Sequence, residues 1–214
     1  MATRKYEQRL RAEEAERTRR RILDALYELL REAPAEPVSV DRIAQLARVA
    51  RSTVYLVFGS RPGLFCALGA DIMDRGCFDA VLESAIQPDA VDGLRAGIRA
   101  IAAMYASHRD VLRAIHSMAQ LDAEAVGDSV RKMEQGRAAG AASRAHRLAE
   151  QGALRPEVTE AEAANLLWLL TSFDAFDVLY TGRSLPVGEV ADILVATAER
   201  SVCRGRRTTA VPYK

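Results

Sequence analysis

The chain has 214 residues, 49% of them hydrophobic and 28% charged, and its 30 Lys+Arg against 29 Asp+Glu leave a formal charge of +1. That balance excludes an acidic disordered chain and a uniformly polycationic nucleic-acid coat. No apolar run approaches the ~18 residues that a membrane span needs, so no membrane partner is expected.

The opening MATRKYEQRL lacks the apolar stretch of a secretory signal. Three cysteines, Cys66, Cys77 and Cys203, are an odd number at unremarkable spacings; they read as free thiols of a reducing compartment, and a cytoplasmic location is expected. The neutral total conceals a local excess. Residues 1–61 hold 13 Lys+Arg and 9 Asp+Glu, much of the excess being arginine from Arg4 to Arg21. A basic face at one end suggests a polyanionic partner, or equally a solvated helix face with Glu13, Glu14 and Glu16 as intrahelical partners.

Taken in order, RTRRRILDALYELLREA (17–33) spaces Ile22, Leu23, Leu26, Leu29 and Leu30 as one helical face, ended by Pro34 and Pro37. Ser39 can cap a short helix whose Ile43, Ala44 and Ala47 face inward. A break at 48–50 precedes a second short helix, RSTVYLVF, stopped by Gly59. Ser60 then caps a longer helix running to about Ser84, with Pro62 in its first turn. Amphipathic stretches follow at 89–106, 110–119, 122–151, 159–181 and 187–203, separated by turn signals at Pro88, 108–110, Gly152/Pro156 and Gly182/Pro186. Thr159 with Glu162 makes a capping box. Sustained period-two alternation is absent, so the fold class is all-α with about nine helices, and the tail CRGRRTTAVPYK is expected to fray.

Two short helices joined by a tight turn and preceded by a longer one form a helix-turn-helix pattern. Small residues are needed where the helices cross, and Ala44 and Ala47 supply them. Val49, Val54 and Phe58 can plug the second helix onto the first. Arg51, Ser52, Thr53 and Tyr55 then lie outward, where polar groups reach base edges and phosphates.

The stretch VSVDRIAQLARVARSTVYLVFGSRPGLFCAL resembles the DNA-binding signature of TetR/AcrR-family transcriptional regulators. The resemblance is carried by Ser39, Ile43, Ala44, Ala47, Val49, Thr53, Tyr55, Phe58, Arg61 and Leu64. It implies a homodimer that binds a double-stranded, palindromic operator, acts as a repressor and is released by a small-molecule effector bound in the helical remainder. The family usually has Gly in the turn, where the backbone goes left-handed; this chain has Arg48, at a cost of roughly 1 kcal/mol. Leu56 and Val57 stand where the family often has aromatic or polar residues.

The DNA-binding residues expected on this basis are Ser39 and Ser60 (helix N-termini facing phosphates), Tyr55 and Arg61 (phosphate), Arg51, Ser52 and Thr53 (bases), and Arg17, Arg19, Arg20 and Arg48 (charge). The expected division is 1–62 for a helix-turn-helix domain with a basic N-terminal arm, 63–204 for a helical effector-binding and dimerisation domain, and 205–214 for a flexible tail.

Helices 159–181 and 187–203 are apolar enough to leave a large patch on a monomer. Leu166, Leu169, Leu170, Val190, Ile193, Leu194 and Thr197 are the candidate dimer interface. Met104, Tyr105, His108, His116, Met118, Trp168, Phe173 and Phe176 are candidates to line an effector pocket, or else to fill a core. No metal-ligand spacing, phosphate loop or nucleophile elbow occurs, so neither enzyme activity, metal nor cofactor is expected. The alternative reading is a helical ligand-binding or protein-interaction protein that no longer reads DNA; Arg48, Leu56 and Val57 leave room for it.

Overall fold

The computed structural model describes residues 2–33, 38–75 and 78–205. Among them are eleven helices and no strand: α1 (Ala2–Glu32), α2 (Val40–Leu46), α3 (Arg51–Phe58), α4 (Arg61–Asp74), α5 (Phe78–Ala85), α6 (Ala90–Ser107), α7 (Arg109–Leu121), α8 (Ala123–Glu150), α9 (Glu160–Leu170), α10 (Phe173–Tyr180) and α11 (Val187–Val202). Pro34, Pro37, Cys77 and residues 206–214, to which the sequence assigned helix stops, a thiol and a tail, lie outside the described residues. No single described helix is long and apolar enough to cross a membrane.

The all-α class holds, with two helices more than the nine expected. The helix expected from 61 to 84 stops at Asp74 and resumes at Phe78 as α5. The 159–181 stretch divides at Thr171–Ser172, where two hydroxyls engage the backbone. Thr171 Oγ1 donates to Leu167 O at 2.7 Å, and Ser172 Oγ accepts from the Ala175 N–H at 3.0 Å, opening α10. At the other end of the chain, α1 begins at Ala2 rather than 17. Its first half carries charge pairs such as Arg9–Glu13 (3.2 Å) and Arg17–Glu14 (3.1 Å), which support a helix at a few tenths of a kcal/mol each.

The chain forms two compact units. The first comprises residues 1–75 and 108–133. In it α1 packs on α2, α4 and α7, and α3 packs on α2 and α4. Ile22, Leu26, Leu30, Ile43, Leu64, Phe65, Leu68, Ile72 and Leu112 are fully buried there. A polar cluster sits on this core. Asp71, itself buried, pairs with Arg20 (3.1 Å) and Arg75 (2.5 Å), and Arg75 also holds Asp24 (2.6 Å). The Arg75 guanidinium lies 4.5 Å from the Tyr27 ring centroid, and the Tyr27 hydroxyl meets His108 Nδ1 at 2.7 Å. Burial, reinforced by the charge of Arg75, pushes the His108 pKa down, against the opposing pull of Asp71.

The second unit comprises residues 76–107 and 134–214. In it α6 packs on α5, α10 and α11, and α9 and α10 pack on α11. Two arginines of α8 tie down the end of α5. Arg147 donates to the Ala85 and Gln87 carbonyls, the role a cation takes at a helix C-terminus. Arg144 donates to Ser84 Oγ at 3.1 Å. It lies against Gly97 of α6, where a Cβ would come within 2.7 and 2.9 Å of its guanidinium nitrogens. Burial, and then the charge of Arg147, lower the Arg144 pKa.

The start of the expected tail is tied down. Cys203 forms an antiparallel bridge with Leu154, and the Arg204 N–H donates to Ala153 O at 2.7 Å. Burial pushes the Cys203 thiol up to about 11, which leaves it a poor nucleophile.

Candidate nucleic-acid interface

The α2–turn–α3 segment is assembled by local signals. Ser39 Oγ accepts from the Arg42 N–H at 3.2 Å and caps α2. At the far end the Arg48 N–H donates to Gln45 O (3.2 Å) and the Val49 N–H to Ala44 O (3.0 Å), the bond pair of a Schellman motif. That motif needs a left-handed residue, and Arg48 provides it with φ of 54°. The left-handed turn expected from the resemblance is therefore present, with arginine in it.

Helix α3 follows, packed by Val54, with Val57 and Phe58 half-buried. Gly59, at φ 73°, ends it, and Ser60 Oγ accepts from the Gly63 N–H at 3.1 Å to open α4. Gly63 was not singled out in the sequence, yet a Cβ there would lie 2.2 Å from the Phe58 carbonyl oxygen. The turn from α3 into α4 therefore tolerates no side chain at that position.

The outward face of α3 carries Arg51, Ser52 and Leu56, with Thr53 and Tyr55 half-buried beside them. Arg51 donates to both carboxylate oxygens of Asp41 on α2, at 2.9 and 3.3 Å, and its guanidinium sits 5.8 Å from the Tyr55 ring centroid. A hydrogen bond with Tyr55 and then the Asp41 carboxylate raise its pKa further. Asp41 was not anticipated as a site residue; its signal was its place in the first turn of α2. Arg48 is exposed in the turn. Ser39 and Ser60 are exposed caps.

Like Arg51, the cations Arg61, Arg19, Arg20 and Arg17 have partners within the unit. Arg61 is half-buried and ion-paired with Asp122, and it also donates to Val38 O at 3.4 Å. The hydrogen bond from Arg61 is the main cause that lowers the Asp122 pKa, followed by the Ala125 N–H. Arg19 lies 5.4 Å from the Phe58 ring centroid and so flanks the end of α3. Arg20 joins the Asp71 cluster, bracing α1 against α4. Arg17 remains on the exposed part of α1 with Glu14.

Of the pocket candidates, Met104, Tyr105, Phe173 and Phe176 are buried in the second unit, and the three aromatic ones come together. The Tyr105 ring centroid lies 5.5 Å from that of Phe173 and 5.6 Å from that of Phe176, and the Tyr105 hydroxyl donates to Thr171 O at 3.1 Å. Burial raises the Tyr105 pKa, so the phenol stays protonated. Trp168 stands apart, 42% exposed, its Nε1–H donating to Glu134 at 3.1 Å beneath Arg137. His108, His116 and Met118 belong to the first unit.

Of the dimer candidates, Val190 and Leu194 are interior to the second unit. Leu169, 62% exposed, and Ile193 lie outside; Leu166, Leu170 and Thr197 are half-buried. Val178, 63% exposed, shares the exposed apolar character of Leu169 and was missed.

Residues 22–68 match the family described as bacterial regulatory proteins, tetR family. Solved structures resemble the whole fold. NalD of Pseudomonas aeruginosa, described as the secondary repressor of the MexAB-OprM multidrug efflux pump, is 21% identical at a TM-score of 0.71, with 90% of this chain and 99% of that one covered. A TetR-family transcriptional regulator of Syntrophomonas wolfei is 13% identical at 0.71, with 87% and 95% covered. One from Mesorhizobium loti is 19% identical at 0.64, with 89% and 98% covered. No curated protein sequence matches the chain.

Proposed function

We propose that the chain, whose residues 22–68 match the tetR family, acts as a homodimeric transcriptional repressor which binds a palindromic operator through α3 and lets go when a small effector binds the second unit. The observation that carries the proposal is the partition of α3. Val54 is buried on a helix packed against α2 and α4, while Arg51, Ser52 and Leu56 stand in solvent.

Arg51 and Ser52, at the start of the helix, suit base-edge contacts, with Thr53 beside them. Tyr55, Ser39, Ser60, Arg61, Arg48, Arg17 and Arg19 suit the backbone, and Arg61 would exchange Asp122 for a phosphate. The proposed division places DNA binding in 1–62 and effector binding with dimerisation in 63–204, ahead of a tail at 205–214. The surface of α9–α11, led by Leu169, Val178 and Ile193, would meet its twofold mate. The effector would act by favouring a conformation whose two reading heads no longer match the half-site spacing. Repression is the sense described for NalD, and a cytoplasmic setting follows from operator binding.

Gel-shift titration against sites selected from random DNA tests this. Arg51→Ala should relax sequence choice, whereas Arg61→Ala should weaken all sequences alike. A dimer contacting ~8–12 phosphates gives log K falling with log[salt] at a slope of about −7 to −11. A slope near zero, or no selected site, would overturn the DNA-binding reading and favour a helical interaction protein.

A further inference from the structure

Leu56 is the sixth residue of α3, and its side chain is 86% exposed. An exposed leucine is unremarkable on most surfaces. Its position here is what makes it informative. Leu56 lies one turn after Ser52 on the face that also holds Arg51, so the two side chains are neighbours some 5–6 Å apart. Val54 and the half-buried Val57 and Phe58 already anchor the helix. Leu56 therefore gives nothing to the core and interrupts an otherwise polar reading face.

A leucine has no hydrogen-bonding group, so it cannot be satisfied by a base edge or a phosphate. Among the groups a major groove presents, one is apolar: the C5-methyl of thymine. Covering that methyl removes apolar surface from water on both partners, while the same side chain against the N4–H2 of cytosine would strip a donor of its water without replacing it.

We propose that Leu56 is a specificity-determining residue, selecting a thymine in each half-site by contact with its C5-methyl group. This rests on the DNA-reading role of α3, and the test separates the two. Sites bound by the full-length protein are selected from random DNA. Each thymine of the half-site is then replaced in turn by deoxyuridine, which removes the methyl and leaves every hydrogen-bonding group in place. Binding is followed by fluorescence anisotropy for the native chain and for Leu56→Ala.

At one thymine the native protein should bind the deoxyuridine site about fourfold more weakly for one half-site, and about fifteenfold for both. These are the factors expected for burial of one methyl group and of two. Leu56→Ala should bind the thymine and deoxyuridine versions equally, with an unchanged melting temperature because the side chain makes no core contact. Sites that lack thymine, methyl removal without effect at every position, or an effect that persists undiminished in Leu56→Ala would each overturn the proposal while leaving DNA binding intact. Failure to select any site would overturn both.

Discussion

Replacing Arg48 by glycine should stabilise the protein while weakening its hold on DNA. At φ 54° the arginine occupies backbone space that costs an L-residue about 1–2 kcal/mol. Glycine removes that cost but gains freedom in the unfolded chain worth about 0.5–1 kcal/mol. The net gain is about 0.5–1 kcal/mol, which for a chain of this size raises Tm by roughly 1–4 °C. The Schellman bonds at Gln45 and Ala44 involve backbone alone and survive the change. Arg48→Ala is the control, since it removes the same charge and keeps the strain. Differential scanning calorimetry should rank Arg48→Gly above both the native chain and Arg48→Ala. Loss of one phosphate contact in each half of the dimer should make the salt slope shallower by about 2 in both variants. A glycine variant that melts at or below the alanine variant would refute the strain argument; an unchanged slope would remove Arg48 from the DNA contacts.

The depressed pKa of His108 sets a pH dependence. Its native value lies below the unfolded value near 6.5, so the unfolded chain binds more protons in that window. The stability it contributes is present above the unfolded pKa and lost as pH falls through the folded one. Thermal melts should decline from pH 7 toward 5, with a smaller decline in His108→Gln; equal declines would contradict the assignment. Gly63→Ala should cost about 2 kcal/mol or more and reduce operator binding together with Tm, because the added methyl meets backbone at the α3–α4 turn. Native-like melting and binding of that variant would show that the turn can relax.

The parts of this molecule legible in its sequence are those governed by short-range rules. Ser39, Ser60 and Thr159 cap the helices they were expected to cap, and the left-handed position fell on Arg48. The long start of α1 escaped notice because hydrophobic periodicity cannot register a helix held by charge pairs such as Arg9–Glu13. The break at Thr171–Ser172 was hidden by the apolar residues on either side, although a serine followed by Phe173 and Asp174 is an ordinary cap signature. The partners of the site cations were beyond reach for another reason. Asp122 is far from Arg61 in sequence, and Asp71 far from Arg20, so only the packing of α4 against its neighbours brings them together. Residue type likewise does not tell the buried Val190 from the exposed Leu169.

The contact between Gly97, Ser84 and Arg144 bears on how this sequence can drift. A methyl at 97 would overlap the guanidinium and also come within 2.9 Å of Ser84 Oγ. Three positions on α5, α6 and α8 are thereby bound into one heritable choice. A lineage that acquires alanine at 97 must move or shorten the side chain at 144, and one that loses the arginine removes its part of that obstacle. Among descendants of this chain, changes at these sites should be correlated.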